Sequence, residues 1–228
     1  MRGNYRPVVA EFVGTAMLLL AVVGSGIMAQ RLCGGNAGLA LLANAIATGG
    51  ALVALILAFG PVSGAHLNPA VTLADALQGG ISWSRVTPYI VAQITGALVG
   101  TAFANGMFGL PLFFASHHDR SGLPLFASEI IATFGLLATI WGCARSRPHV
   151  TPFAVAAYIT GAYWFMPSTS FANPAVTIAR SLTDTFSGIR PVDAPLFIVA
   201  QLLGALGATA LFAYLLPRPK PATHAAYP

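Results

Sequence analysis

His66-Leu67-Asn68-Pro69-Ala70-Val71-Thr72 returns, with changes at its front end, as Phe171-Ala172-Asn173-Pro174-Ala175-Val176-Thr177. Each copy sits where an otherwise apolar chain turns polar and then reads as the start of a helix. Proline at the first helical position is tolerated because the N–H it lacks would have had no intrahelical partner. The asparagine before it fits an N-cap. An Asn-Pro-Ala-Val-Thr run occurring twice in 228 residues points to duplication. The echo extends beyond the runs. Ala10-Glu11-Phe12-Val13-Gly14-Thr15 matches Ser128-Glu129-Ile130-Ile131-Ala132-Thr133, and Ala92-Gln93-Ile94-Thr95-Gly96-Ala97 matches Ala200-Gln201-Leu202-Leu203-Gly204-Ala205.

Composition sets the solvent. Hydrophobic residues make up 56% of the chain and charged residues 7%, and mean hydropathy is +0.76. A soluble domain carries roughly 25% charged residues, so this chain could not cover its surface with them. Abundant glycine and alanine suit close packing of membrane helices. The reading is an all-α polytopic membrane protein in contact with a lipid bilayer. The net charge of +5 comes from basic residues scattered at helix ends, which form no patch for nucleic acid. Cys33 and Cys143, the two cysteines, are expected on opposite sides and unpaired.

Six spanning helices are expected, over about 8–29, 37–59, 83–107, 124–144, 152–166 and 194–216. Two shorter helical patterns, about 69–77 and 174–185, follow the signature asparagines. The second helix is expected to stop at Gly60-Pro61, and Gly79-Gly80 to close the first short one. Residues 217–228 read as a proline-rich cytoplasmic tail. With both termini inside, seven basic residues lie on the cytoplasmic side and Arg31, Arg120, Arg180 and Arg190 outside, the sense of the positive-inside rule. Three spans per half means the halves, 8–107 and 124–216, enter the membrane from opposite sides within one 1–228 domain. Inverted repeats place their functional site where the halves meet.

A half-helix of ten residues rises about 15 Å, so two of them, one from each face, fill the roughly 30 Å hydrocarbon core. Their positive ends then face the midplane. Irregular backbone at that depth is tolerated only beside a water-filled cavity, which implies a pore.

Two Asn-Pro-Ala loops in mirrored halves, with Glu11 and Glu129, resemble the aquaporin and glycerol-facilitator (major intrinsic protein) family across nearly the whole chain. The resemblance implies a right-handed bundle of six helices plus two re-entrant half-helices, assembled as a homotetramer with one pore per subunit. It implies passive conduction of water or small uncharged solutes, with no cofactor, metal or catalytic residue. Asn68, Pro69 and Ala70, with Asn173, Pro174 and Ala175, would orient solute in single file and help exclude protons. Glu11 and Glu129, costly in a membrane, would brace the signature loops, with Gln93 and Gln201 assisting.

The family's narrower filter carries over to Thr48, Gly161 (or Ala162, given a small length difference before the loop), Ser170 and Val176. Most members have an aromatic residue at the first position and arginine at the last. Threonine and valine here predict a wider, less charged filter. The valine variant resembles a bacterial subgroup associated with arsenic resistance. The expected function is a passive channel in the bacterial inner membrane for glycerol-like polyols, urea, neutral arsenicals and water. A water-dominant pore is the alternative, and an ion-coupled secondary transporter a remoter one.

Asp75 and Arg180 occupy equivalent positions of the two half-helices, four residues beyond Val71 and Val176. Two readings stay open: charged gatekeepers at the inner and outer mouths, or residues paired with a loop group or headgroup. His66 reads either as vestibule-lining or as structural. His117 and His118 read as solvated loop residues rather than a metal or pH site.

Overall fold

A computed structural model describes residues 5–216; the expected tail at 217–228 lies outside the described residues. The chain forms eight α-helices in the described region: α1 (Arg6–Leu32), α2 (Ala37–Ser63), α3 (Pro69–Leu77), α4 (Trp83–Met107), α5 (Leu123–Ala144), α6 (Thr151–Phe165), α7 (Pro174–Arg180) and α8 (Ala194–Leu215). Five of them, α1, α2, α4, α5 and α8, are long and apolar enough to cross a membrane. The sixth spanning helix, α6, has 15 residues, a rise of about 22 Å, and is preceded by a single 3-10 turn at Pro148–Val150. Two short helices, α3 and α7, complete an all-α bundle with the aquaporin hourglass architecture.

The bundle buries polar side chains among its apolar core and turns apolar stripes outward. Glu11, Asn44, Gln93, Asn105, Glu129 and Gln201 are buried, whereas Val9, Val13 and Met17 form an exposed stripe on α1, and Leu196, Val199, Leu203 and Leu206 one on α8. That distribution would be ruinous in water and is natural in lipid, where apolar faces need no cover and polar groups must be satisfied internally.

Equivalent helices pack in equivalent pairs. α1 lies along α4 and α2, α5 along α8 and α6, and α2 meets α6 between the halves. Glycine permits the closest of these contacts. A Cβ on Gly96 or Gly100 of α4 would collide with the carbonyl oxygens of Phe12 or Ala16 in α1, and one on Gly204 of α8 with that of Ile130 in α5. α3 and α7 touch each other at the centre, α3 packing on α4 and α8, and α7 on the same pair.

Two helix ends, those of α2 and α7, differ most from the ends read in the sequence. α2 continues through Pro61 to Ser63 before a left-handed Gly64, whose N–H reaches Gly60 O; the proline removes one hydrogen bond in the last turn without ending the helix. α3 ends as expected: Gly79 has φ 68°, and Gly80 N–H bonds Asp75 O at 2.8 Å, a Schellman closure. α7 stops at Arg180 rather than near Thr185. Beyond it Leu182 O and Ser181 O accept from Phe114 and Ser116 N–H at 3.1 Å each, and the Thr183 hydroxyl donates to Asn105. Pairing with the 111–118 loop draws the chain out of the helix.

Candidate functional site

The site grows from the two asparagines. Asn68 Oδ1 accepts Ala70 N–H at 2.9 Å and Asn173 Oδ1 accepts Ala175 N–H at 3.0 Å, so each caps its own half-helix. The side-chain amides then cross to the opposite loop. Asn68 Nδ2 donates to Ala172 O at 2.7 Å, and Asn173 Nδ2 donates to Leu67 O at 2.8 Å. An asparagine amide has two N–H bonds, so one on each residue is left without an acceptor among the described residues. Pro69, Ala70, Pro174 and Ala175 are buried where the half-helices begin.

The loop carbonyls reach these positions because the backbone is forced into the left-handed region. Ala65, Leu67, Ser170 and Ala172 have φ between 47° and 52°, and Thr169 has φ 62°. Such conformations are costly for residues with a Cβ and persist only when the surroundings hold them. The two glutamates supply that hold. Glu11 accepts His66 N–H (2.9 Å), Leu67 N–H (2.7 Å), the Ser63 hydroxyl (2.6 Å) and Gln93 Nε2 (2.7 Å). Glu129 accepts Phe171 N–H and Ala172 N–H at 2.9 Å each, and Gln201 Nε2 at 2.7 Å. Each glutamine also donates to the half-helix threonine, Gln93 to Thr72 and Gln201 to Thr177, whose hydroxyl donates back to the asparagine carbonyl. The same circuit is built twice.

A cavity of about 270 Å³ runs past both asparagines. Its wall includes His66 and Asp75 towards one end and Ser170, Val176 and Arg180 towards the other. His66 Nε2 lies 3.5 Å from Asp75 Oδ2, and its Nδ1 lies 3.2 Å from the Thr72 hydroxyl. Asp75 is therefore partnered within the wall.

Thr48 lines the cavity, and its hydroxyl lies 3.3 Å from that of Tyr163. The α6 residue that lines the cavity beside Thr48 is Tyr163, whereas the lining does not include Gly161 or Ala162. The α6 wall is the stripe Thr151, Val155, Ile159 and Tyr163, spaced four apart on one helical face. Gly161 is two residues off that face, and a side chain there would meet Phe165. The four-residue spacing was present in the sequence and could have identified Tyr163. Phe171, whose ring also lines the cavity, was likewise not anticipated.

Arg180 is 2% exposed and part of the wall. Its Nε donates to Ser187 O, and its guanidinium carbon lies 3.4 Å from the centroid of the Phe171 ring. Arg120, from the 111–122 connection, stands 4.8 Å from the same centroid and donates to Gly188 O and Ser168 O. His117 and His118 gather instead around Asp184 at the surface.

The model of the major intrinsic protein family matches residues 2–168 and 153–227. The chain belongs to that family. It is accordingly a multi-pass membrane channel of the kind that passes water and glycerol-like small solutes, and not an enzyme. It is 52% identical to "Aquaglyceroporin AqpS" of Rhizobium meliloti (strain 1021), over 95% of this chain and 92% of that protein. It is 30% identical to "Aquaporin Z" of Rhodopseudomonas palustris, over 95% of both. The fold matches the X-ray structure of the aquaglyceroporin from Plasmodium falciparum with a TM-score of 0.66 at 21% identity, covering 93% of this chain and 95% of that one.

Proposed function

We propose that the protein is a passive channel with a filter open to small uncharged solutes larger than water: glycerol-like polyols, urea and neutral arsenicals, with water following. Val176 carries the reading. It lies three residues beyond the asparagine that caps α7, in the cavity wall and 5% exposed, and presents methyl groups rather than a fixed fork of N–H donors. Thr48, in the same cavity wall, is small. Tyr163 tempers the expected width, because its ring replaces the hydrogen expected at Gly161, while its hydroxyl offers a solute a polar contact. The similarity to a protein named as an aquaglyceroporin supports the glycerol-like part of this reading.

The functional unit in this proposal is a homotetramer in the bacterial inner membrane, both termini cytoplasmic, with each subunit holding its own pore. Asn68 and Asn173 orient solute at the crossing of the half-helices. Glu11 and Glu129 hold the loops by accepting their N–H groups, and Gln93 and Gln201 tie each carboxylate to a half-helix threonine, a bracing role rather than a proton relay.

Stopped-flow light scattering on proteoliposomes tests the filter. Val176→Arg is expected to reduce glycerol and urea flux at least tenfold while water flux falls less, because a guanidinium narrows and charges the throat. Unchanged glycerol flux in that variant would overturn the wide-filter reading. A wild type that passes water alone would favour the water-dominant alternative.

A further inference from the structure

Arg180 is a buried cation in the pore wall that the proposed conduction path does not use. Five N–H bonds radiate from a guanidinium. Among the described residues only the one at Nε has an acceptor, Ser187 O; Nη1 and Nη2 have none. Among the described residues no ion pair within 4.0 Å involves Arg180 or its neighbour Arg120. The Glu129 carboxylate of the same half is committed to Phe171 N–H, Ala172 N–H and Gln201. Burying an arginine without a counter-ion is expensive. Stacking on Phe171 offsets part of that cost, since guanidinium is weakly hydrated and binds aromatic faces, but it satisfies no N–H.

The same wall holds a second unused polar group. Ser170 Oγ is buried without a hydrogen-bond partner among the described residues, and Ser170 lines the cavity beside Phe171. The chain therefore gathers a stacked guanidinium with free donors, a hydroxyl with no partner, and a second guanidinium on the same ring. The first two border one cavity, and among the described residues no carboxylate pairs with Arg180 within 4.0 Å.

We infer that Arg180, Phe171 and Ser170 form a binding subsite for small oxyacid monoanions, of which a carboxylate is the simplest. Two oxygens in one plane match the paired Nη donors, and such bidentate charge-assisted contacts are the strong ones. The Ser170 hydroxyl adds a donor to the anion. Arg120 contributes field rather than contact, because it stands outside the cavity wall and its Nε and Nη1 donate to Gly188 O and Ser168 O. Asp75 and His66 border the far end of the cavity, where the partnered carboxylate opposes onward movement of the anion. An occupied subsite obstructs the path for neutral solutes from that side.

The inference does not rest on which neutral solutes pass, and its test begins without flux. Saturation-transfer NMR on the full chain in detergent compares acetate with its neutral isostere acetamide. Wild type is expected to bind acetate saturably and acetamide at least tenfold more weakly. Arg180→Gln is expected to weaken acetate at least tenfold, and Arg180→Lys, which keeps the charge without the fork, by less. Equal binding of acetate and acetamide to wild type would overturn the proposal even if neither variant folds, as would undiminished acetate binding in Arg180→Gln. In proteoliposomes, external acetate should slow glycerol entry through wild type and not through Arg180→Gln. Acetate binding to a wild type that passes no glycerol would leave the subsite standing and count against the proposed function alone.

Discussion

A carboxylate can hold a strained loop because it has several acceptor sites and no donor to misplace. Glu11 takes two loop N–H groups, a serine hydroxyl and a glutamine amide; Glu129 takes two loop N–H groups and a glutamine amide. Each buried N–H stranded by removal of its acceptor costs about 1–3 kcal/mol. Glu129→Ala strands Phe171 and Ala172 N–H next to residues with φ near 50°, so a lower melting temperature in detergent is expected, together with loss of solute flux. Glu129→Gln should fall between, because its amide nitrogen faces a donor. Unaltered melting and flux in the alanine variant would mean that the loops hold without the brace. The sequence made this pair legible, since a carboxylate inside a membrane demands partners and the duplication supplied them twice. Tyr163 was less legible, because carrying the family's filter positions onto the chain leads to Gly161 or Ala162, whereas the four-residue stripe of α6 facing the cavity leads to the tyrosine.

Among the helices, glycine sets distance. Gly96 and Gly204 are equivalent, and each lets a neighbouring helix place a carbonyl oxygen where a Cβ would otherwise stand. A methyl group there must push backbone against backbone, with no flexible side chain to yield. Gly96→Ala and Gly204→Ala are therefore expected to lower thermal stability by about 1–3 kcal/mol, the usual cost of overpacking. Gly50 in α2 is the control. A Cβ at Gly50 meets nothing within 4 Å, so Gly50→Ala should be neutral, or stabilising by up to about 1 kcal/mol through helix propensity. Thermal denaturation monitored by size-exclusion fluorescence separates the three, and equal behaviour would remove the close-approach argument. Helix order and most boundaries were readable from apolar run lengths and the Pro and Gly punctuation. The end of α7 was not, because it is fixed by hydrogen bonds to Phe114 and Ser116, more than sixty residues earlier in the chain, and nothing in 181–185 alone announces them.

Over the whole molecule, the long connection between the halves is not a passive tether. Residues 111–122 join α4 to α5 and lie against the segment that follows α7, pairing Phe114 with Leu182 and Ser116 with Ser181. Asp184 clasps the two: its carboxylate accepts His117 N–H and meets His117 Nδ1, both at 2.8 Å. The backbone hydrogen bond from His117, then its side-chain one, hold the Asp184 pKa below the ordinary 3.8. A carboxylate depressed in the folded state stabilises it above the unfolded pKa and loses that contribution as pH falls through the folded value. The clasp should thus persist across neutral and mildly acidic conditions and open only below about pH 4. Asp184→Asn removes it at every pH. Hydrogen exchange followed by mass spectrometry should show the 113–118 segment of Asp184→Asn exchanging faster at pH 7, while the signature loops held by Glu11 and Glu129 stay protected. Wild-type protection of 113–118 should be flat from pH 7 to pH 5. Because this connection also carries Arg120, whose guanidinium shares the Phe171 ring with Arg180, loosening it should change solute flux as well as exchange. Identical exchange of 113–118 in the variant and the wild type would show that the backbone pairing alone docks the connection, with the aspartate dispensable.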